Sequence, residues 1–145
     1  MATGLEIFFR DIYSSGMNLK FVKSKHSLFS KFSNESKNDF INIEKTMKRF
    51  KSGLDIDLKK VLDEDEIEII HELFLKRNAI VHNNGFVDII FLNQSGIDCK
   101  IGDQIIVTDG DIATYSQTIE VIAEKIEKEF EKIIYPEIFI RIEDF

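Results

Sequence analysis

The chain has a single proline, Pro136, so the 135 residues before it contain none. Proline is the residue most disruptive to a helix, because it lacks a backbone N–H and its ring clashes with the preceding turn. Glycine occurs only seven times, always as an isolated residue. A β-sandwich or barrel needs a turn signal roughly every 8–12 residues, and the Gly and Pro that make such turns are scarce here. Long helices are the consequence. The expected fold is all-α: a small bundle of four to five helices in a single domain over residues 1–145, with a short irregular insertion before the last long helix.

Apolar spacing places those helices. Leu5, Phe8, Phe9, Ile12 and Tyr13 predict a first helix over residues 3–14, broken by Ser14-Ser15-Gly16. Residues 18–32 are ambiguous, since Ser and Lys dilute a stripe of Leu19, Val22, His26 and Phe29. Asn34 or Ser36 would cap a helix whose stripe is Phe40, Ile43, Met47 and Phe50; Gly53 would end it, and 54–62 would connect. Asp63 caps the next helix, Glu64, Asp65 and Glu66 suit its positive end, and Ile67, Ile70, Phe74 and Val81 form its stripe. Asn83-Asn84-Gly85 stops it, since Asn and Gly tolerate left-handed backbone. Residues 86–92 show no helical period, and 101–107 read as a turn or small hairpin. Asp109 or Asp111 then caps a helix of about 24 residues, roughly 36 Å long. Its seam is Ile112, Tyr115, Ile119, Ile122, Ile126 and Ile133, with Phe130 beside it and Pro136 as the stop. Residues 138–142 alternate too weakly to assign.

Composition narrows the class. Hydrophobic residues at 43% and charged residues at 31% suit a globular chain, and thirteen Phe with no Trp suit an apolar core. The lone Cys99 excludes an intrachain disulfide and any zinc site with two Cys ligands. No apolar run is long enough to span a membrane, and Glu6 in an N-terminus without a basic stretch argues against a signal peptide. A cytoplasmic setting is expected.

The net charge of −7 is unevenly spread: residues 18–60 hold eleven Lys/Arg against five Asp/Glu, whereas residues 61–145 hold seven against nineteen. An acidic chain repels phosphate unless a local basic patch overcomes it. Lys45, Lys48, Arg49 and Lys51, with Lys20, Lys23, Lys25, Lys31 and Lys37 before them, would supply one. The same lysines also fit the solvated face of an amphipathic helix.

Chemistry concentrates late in the Asp63-capped helix. His71, Leu75, Asn78 and His82 share a stripe, but the two His are eleven residues apart, about 16 Å, too far to share a metal ion. No metal-ligand spacing, Gly-rich phosphate loop, dinucleotide fingerprint or nucleophile elbow occurs, so no metal or cofactor is expected. Arg77 is out of place. It follows Ile67, Ile70 and Phe74 on the core-facing stripe, where a charge needs an anionic partner. It marks an interface, an ion pair with a Glu on a neighbouring helix, with His82 capping the helix end, or a ligand site.

The segment Arg77-Asn78-Ala79-Ile80-Val81-His82 resembles the motif of the HEPN superfamily, an Arg followed after several residues by a His, commonly with Asn next to the Arg. The resemblance covers residues 67–85 and extends to 112–134. It implies a helical bundle that dimerises so that two motifs form one composite site. It also implies metal-independent RNA cleavage in a prokaryotic toxin–antitoxin or antiviral-defence setting, or a binding module that has lost catalysis. His82 would then be the general acid/base, Arg77 the phosphate stabiliser and Asn78 a positioning group. The expected partners are a second copy, RNA and an antitoxin or regulatory protein.

That assignment is chemically coherent. Cleavage through the RNA 2′-hydroxyl needs a base, an acid and a cation for the phosphorane. Imidazole titrates near neutrality, and the guanidinium fork matches phosphate oxygens. One chain supplies one such pair and a twofold dimer supplies two.

Overall fold

The computed structural model of the chain describes residues 2–24 and 39–135. Among them the regular structure is all helical: α1 (Ala2–Ser24), α2 (Ile43–Arg49), α3 (Leu58–Val61), α4 (Glu64–His82), α5 (Ile89–Ser95) and α6 (Asp109–Ile134). A 3-10 turn, Asp39–Ile41, leads into α2, and a π turn, Phe50–Leu54, leaves it. None of these helices is long and apolar enough to cross a membrane.

The first helix runs well past the predicted stop at Ser14. Leu5, Phe9, Tyr13 and Met17 are buried at four-residue spacing, so its apolar stripe continues through Ser14-Ser15-Gly16. Gly16 is a packing residue here, not a breaker. A Cβ at that position would lie 2.6 Å from Leu54 Cδ2 and 2.9 Å from Phe130 Cε2, so glycine lets the π turn and α6 close onto α1. That close approach offsets the roughly 1 kcal/mol that glycine costs a helix.

The stripe Phe40, Ile43, Met47 and Phe50 is buried throughout, but three elements share it: the 3-10 turn, α2 and the π turn. Asn42 caps α2 by accepting from Lys45 N at 3.0 Å; the caps anticipated at Asn34 or Ser36 lie outside the described residues. Phe9 meets Phe50 edge-on at 6.0 Å, and Tyr13 meets Phe40 at 5.5 Å. Gly53 does not terminate the segment; Asp55, at φ 62°, does so one residue past the π turn. Within the connector that follows, Asp57 caps the single turn of α3, whose Leu58 is buried.

In α4, Glu66 reaches back to the Asp63 N–H at 2.9 Å, closing the start of the helix, and Lys125 of α6 grips Glu66 at 2.7 Å. Ile70, Leu73 and Phe74 pack in the main core with Tyr115, Ile122 and Ile126 of α6. Val81, expected on that stripe, is 57% exposed, because α4 runs past the end of the core. Ile112 is exposed for the same reason at the start of α6. The cap of α6 is Thr108, whose hydroxyl accepts from Asp111 N–H at 3.1 Å while the Asp111 carboxylate accepts from Thr108 N–H at 2.9 Å. Residues 86–107 are more ordered than their sequence predicts. Asp88 caps α5 through Phe91 N at 2.8 Å, and Phe86 and Gln104 form an isolated antiparallel bridge around it. Leu75, Ala79, Val87 and Phe91 make a second, smaller core there.

Candidate functional site

His71, Leu75, Asn78 and His82, one stripe in the sequence, line one cleft of about 400 Å³ between α4, α5 and the start of α2. Phe74, Leu75, Ala79 and Phe91 are its buried floor; Lys45, Asp88, Ile90 and Gln94 stand on its walls. His82 is the last residue of α4 and is exposed. The chain turns immediately after it, with Asn84 at φ 52° and Gly85 at φ 81°, and Gly85 N–H bonds back to Ala79 O at 3.1 Å. Left-handed backbone at two successive residues explains why Asn-Gly follows the histidine.

Arg77 is not part of that lining. Five residues separate it from His82, which puts the two side chains about 140° apart around the helix. Its Nη1 donates to Asn78 Oδ1 at 2.9 Å, and its Nη2 lies 4.0 Å from Glu6 Oε2 on α1. Glu6 is itself bonded to Arg10. The guanidinium thus has the carboxylate on a neighbouring helix that its place in an apolar stripe required, and it reaches the cleft only through Asn78. At 4.0 Å the Glu6 contact is Coulombic, beyond hydrogen-bond length.

The four basic residues expected to bind RNA lie together. Lys45, Lys48, Arg49 and Lys51 line an open cleft of about 580 Å³ with Asp39 and Ser52. They are not equally available. Arg49 Nε is held by Asp39 Oδ2 at 2.6 Å, and Lys51 pairs with Asp57 at 2.9 Å, a bond that holds the Asp57 carboxyl below its usual range. Lys45 and Lys48 are exposed and make no ion pair among the described residues. Lys45 borders both this cleft and the His82 cleft, so the two adjoin. The side chains of Lys20, Lys23, Lys25, Lys31 and Lys37 lie outside the described residues.

Two features were not foreseen. Lys76, next to Arg77, is buried, with its ammonium 2.6 Å from Glu72, 3.3 Å from Asp111 and 5.7 Å from the centre of the Tyr115 ring. Burial alone would pull its pKa down, but hydrogen bonds to Glu72 and Tyr115 outweigh it and the net shift is upward. The Glu72–Lys76 spacing of four was the available signal. The second feature is a run of exposed apolar side chains at the end of α4 and the start of α5, namely Ile80, Val81, Phe86, Ile89 and Ile90. Exposed apolar area of this kind favours association.

No protein-family model, curated protein or solved structure matches the chain.

Proposed function

We propose that the chain is a metal-independent endoribonuclease of the HEPN type, working as a homodimer with a composite site at the twofold axis. It would serve in the cytoplasm as a prokaryotic toxin or antiviral-defence effector restrained by an antitoxin or regulatory protein. The observation that carries this reading is the cleft at the end of α4, where Asn78 and His82 stand beside Lys45 and next to the basic cleft. In this scheme one His82 takes the 2′-hydroxyl proton as O2′ attacks phosphorus. The partner's His82 protonates the departing 5′-oxygen, leaving a 2′,3′-cyclic phosphate and a 5′-hydroxyl. Arg77, turned from Glu6 toward the phosphate, stabilises the charge that develops there. The exposed apolar side chains at the end of α4 and the start of α5 support the dimer, because a second copy would cover them.

A second reading has its own support. Glu6 beside Arg77, and the absence of Arg77 from the cleft lining, favour a non-catalytic dimerisation module that binds a nucleotide or a partner. RNA cleavage in EDTA separates the two. The ribonuclease forms cyclic-phosphate ends without added metal. Arg77→Lys lowers its single-turnover rate by about a hundredfold with little loss of RNA affinity. Neutralising Lys45, Lys48 and Lys51 together weakens binding and flattens its salt dependence while leaving the saturated rate nearly intact. RNA binding with no cleavage would establish the module instead.

A further inference from the structure

His71 has no place in the acid–base scheme. About 16 Å along α4 from His82, it cannot act on the same phosphate. Yet both imidazoles line the same cleft, together with Lys45, Asn78 and Gln94. The volume of about 400 Å³ falls within the range of small-ligand clefts, 300–1,000 Å³. Its fixed charges are the Lys45 ammonium and the Asp88 carboxylate, one oxygen of which is already held by Phe91 N–H at 2.8 Å, and the imidazoles of His71 and His82 stand with them. That set is wrong for a cation. An apolar side chain from another protein would leave the lysine and the Asn78 and Gln94 amides, two of the three amides in the lining, unpaired on the walls. A planar, polar-edged group tethered to a phosphate satisfies all of them.

The three amides are differently prepared, and Asn42 has its Oδ1 engaged by Lys45 N–H at 3.0 Å as the cap of α2. Asn78 has its Oδ1 occupied by Arg77, so its orientation is fixed with Nδ2 as the remaining donor. Gln94 is exposed on α5 and its side chain makes no hydrogen bond among the described residues, leaving both a donor and an acceptor for a base edge. We propose that this cleft is a base-selecting subsite for the RNA nucleotide next to the scissile phosphate. Lys45 and His71 hold that nucleotide's outer phosphate, Ile90 supports the base, and Asn78 and Gln94 read its edge. The assignment to RNA rests on the ribonuclease reading, whereas base selection by the cleft can be measured without catalysis.

The test is a titration of the chain with each of the four ribonucleoside 3′-monophosphates, following the His71 and His82 ring protons by NMR. The subsite predicts saturable shifts at both histidines and affinities that differ about tenfold between the best and worst base. Gln94→Ala should erase that spread, and Lys45→Ala should weaken all four nucleotides alike. Both positions are exposed, so neither change threatens the fold. Silence at His71, or equal affinities unaffected by Gln94→Ala, would overturn the subsite even if RNA is cleaved. Base-selective binding by a chain that cleaves no RNA would keep the subsite and discard the ribonuclease.

Discussion

The two ends of α4 sit in different surroundings. Its first turns pack among α1, α2 and α6, where Phe9, Phe50, Ile70 and Ile122 are sealed from solvent. Its last turns lean on α5, where four residues form the whole buried cluster and Ile80, Val81, Ile89 and Ile90 face outward. The helix, the hydrophobic effect and the apolar residue types are the same in both places. What differs is that the main core has used up its apolar surface against itself, while the other end has surface to spare. Uncovered apolar area is a driving force for association, so the loosely packed end is where a second copy or a ligand has most to gain.

The largest test of that contrast is to hollow each end. Phe50→Ala should cost about 3–5 kcal/mol in urea unfolding, the usual penalty for emptying a sealed aromatic site. Val81→Ser should change stability by no more than about 0.5 kcal/mol, since the side chain is exposed. The same substitution should weaken self-association in sedimentation. Equal destabilisation by the two changes would break the comparison.

A smaller effect is expected at Gly16. In an open helix interior, Gly→Ala stabilises by roughly 1 kcal/mol. Here the added methyl group meets Leu54 and Phe130, so Gly16→Ala should destabilise by about 1–3 kcal/mol. A rise in stability would mean that α1 does not approach the π turn as closely as described.

The smallest effect concerns the network joining α4 to α6. The Thr108 backbone N–H, helped by Lys76, holds the Asp111 carboxyl below its ordinary value. A depressed carboxylate stabilises the fold above its unfolded value of about 3.9 and loses that contribution as pH falls through its folded value. Lys76 is shifted upward, so its contribution is complete below about 10.4 and is lost only as pH rises beyond that. Stability should therefore be flat near neutrality and fall below about pH 4. Asp111→Asn should make the acid limb shallower in urea midpoints measured from pH 3 to 7.

The sequence was most legible where packing is local. Breaker scarcity and apolar spacing were enough for an all-helical chain, and the caps at Asp63 and the Asn-Gly stop after His82 were visible as residue types. Spacing cannot report where a core ends. Val81 and Ile112 continue their stripes in sequence, but no helix among the described residues covers them. Gly16 looked like a break because its role is tertiary, set by Leu54 and Phe130 far along the chain. In the site, the shared stripe of His71, Asn78 and His82 was readable from helical geometry. The turn of Arg77 toward Glu6 and the wall contributed by Gln94 were not, since each depends on how separate helices dock.

The central claim is that the sparsely packed end of α4 does chemistry and contributes little to the fold. His82→Ala tests it when RNA cleavage in EDTA and urea unfolding are measured on the same preparation. The expected result is a loss of cleavage of about a thousandfold, with unfolding free energy changed by less than about 1 kcal/mol and the dimer retained. Undiminished cleavage by that variant, or loss of activity together with loss of the fold, would contradict the account.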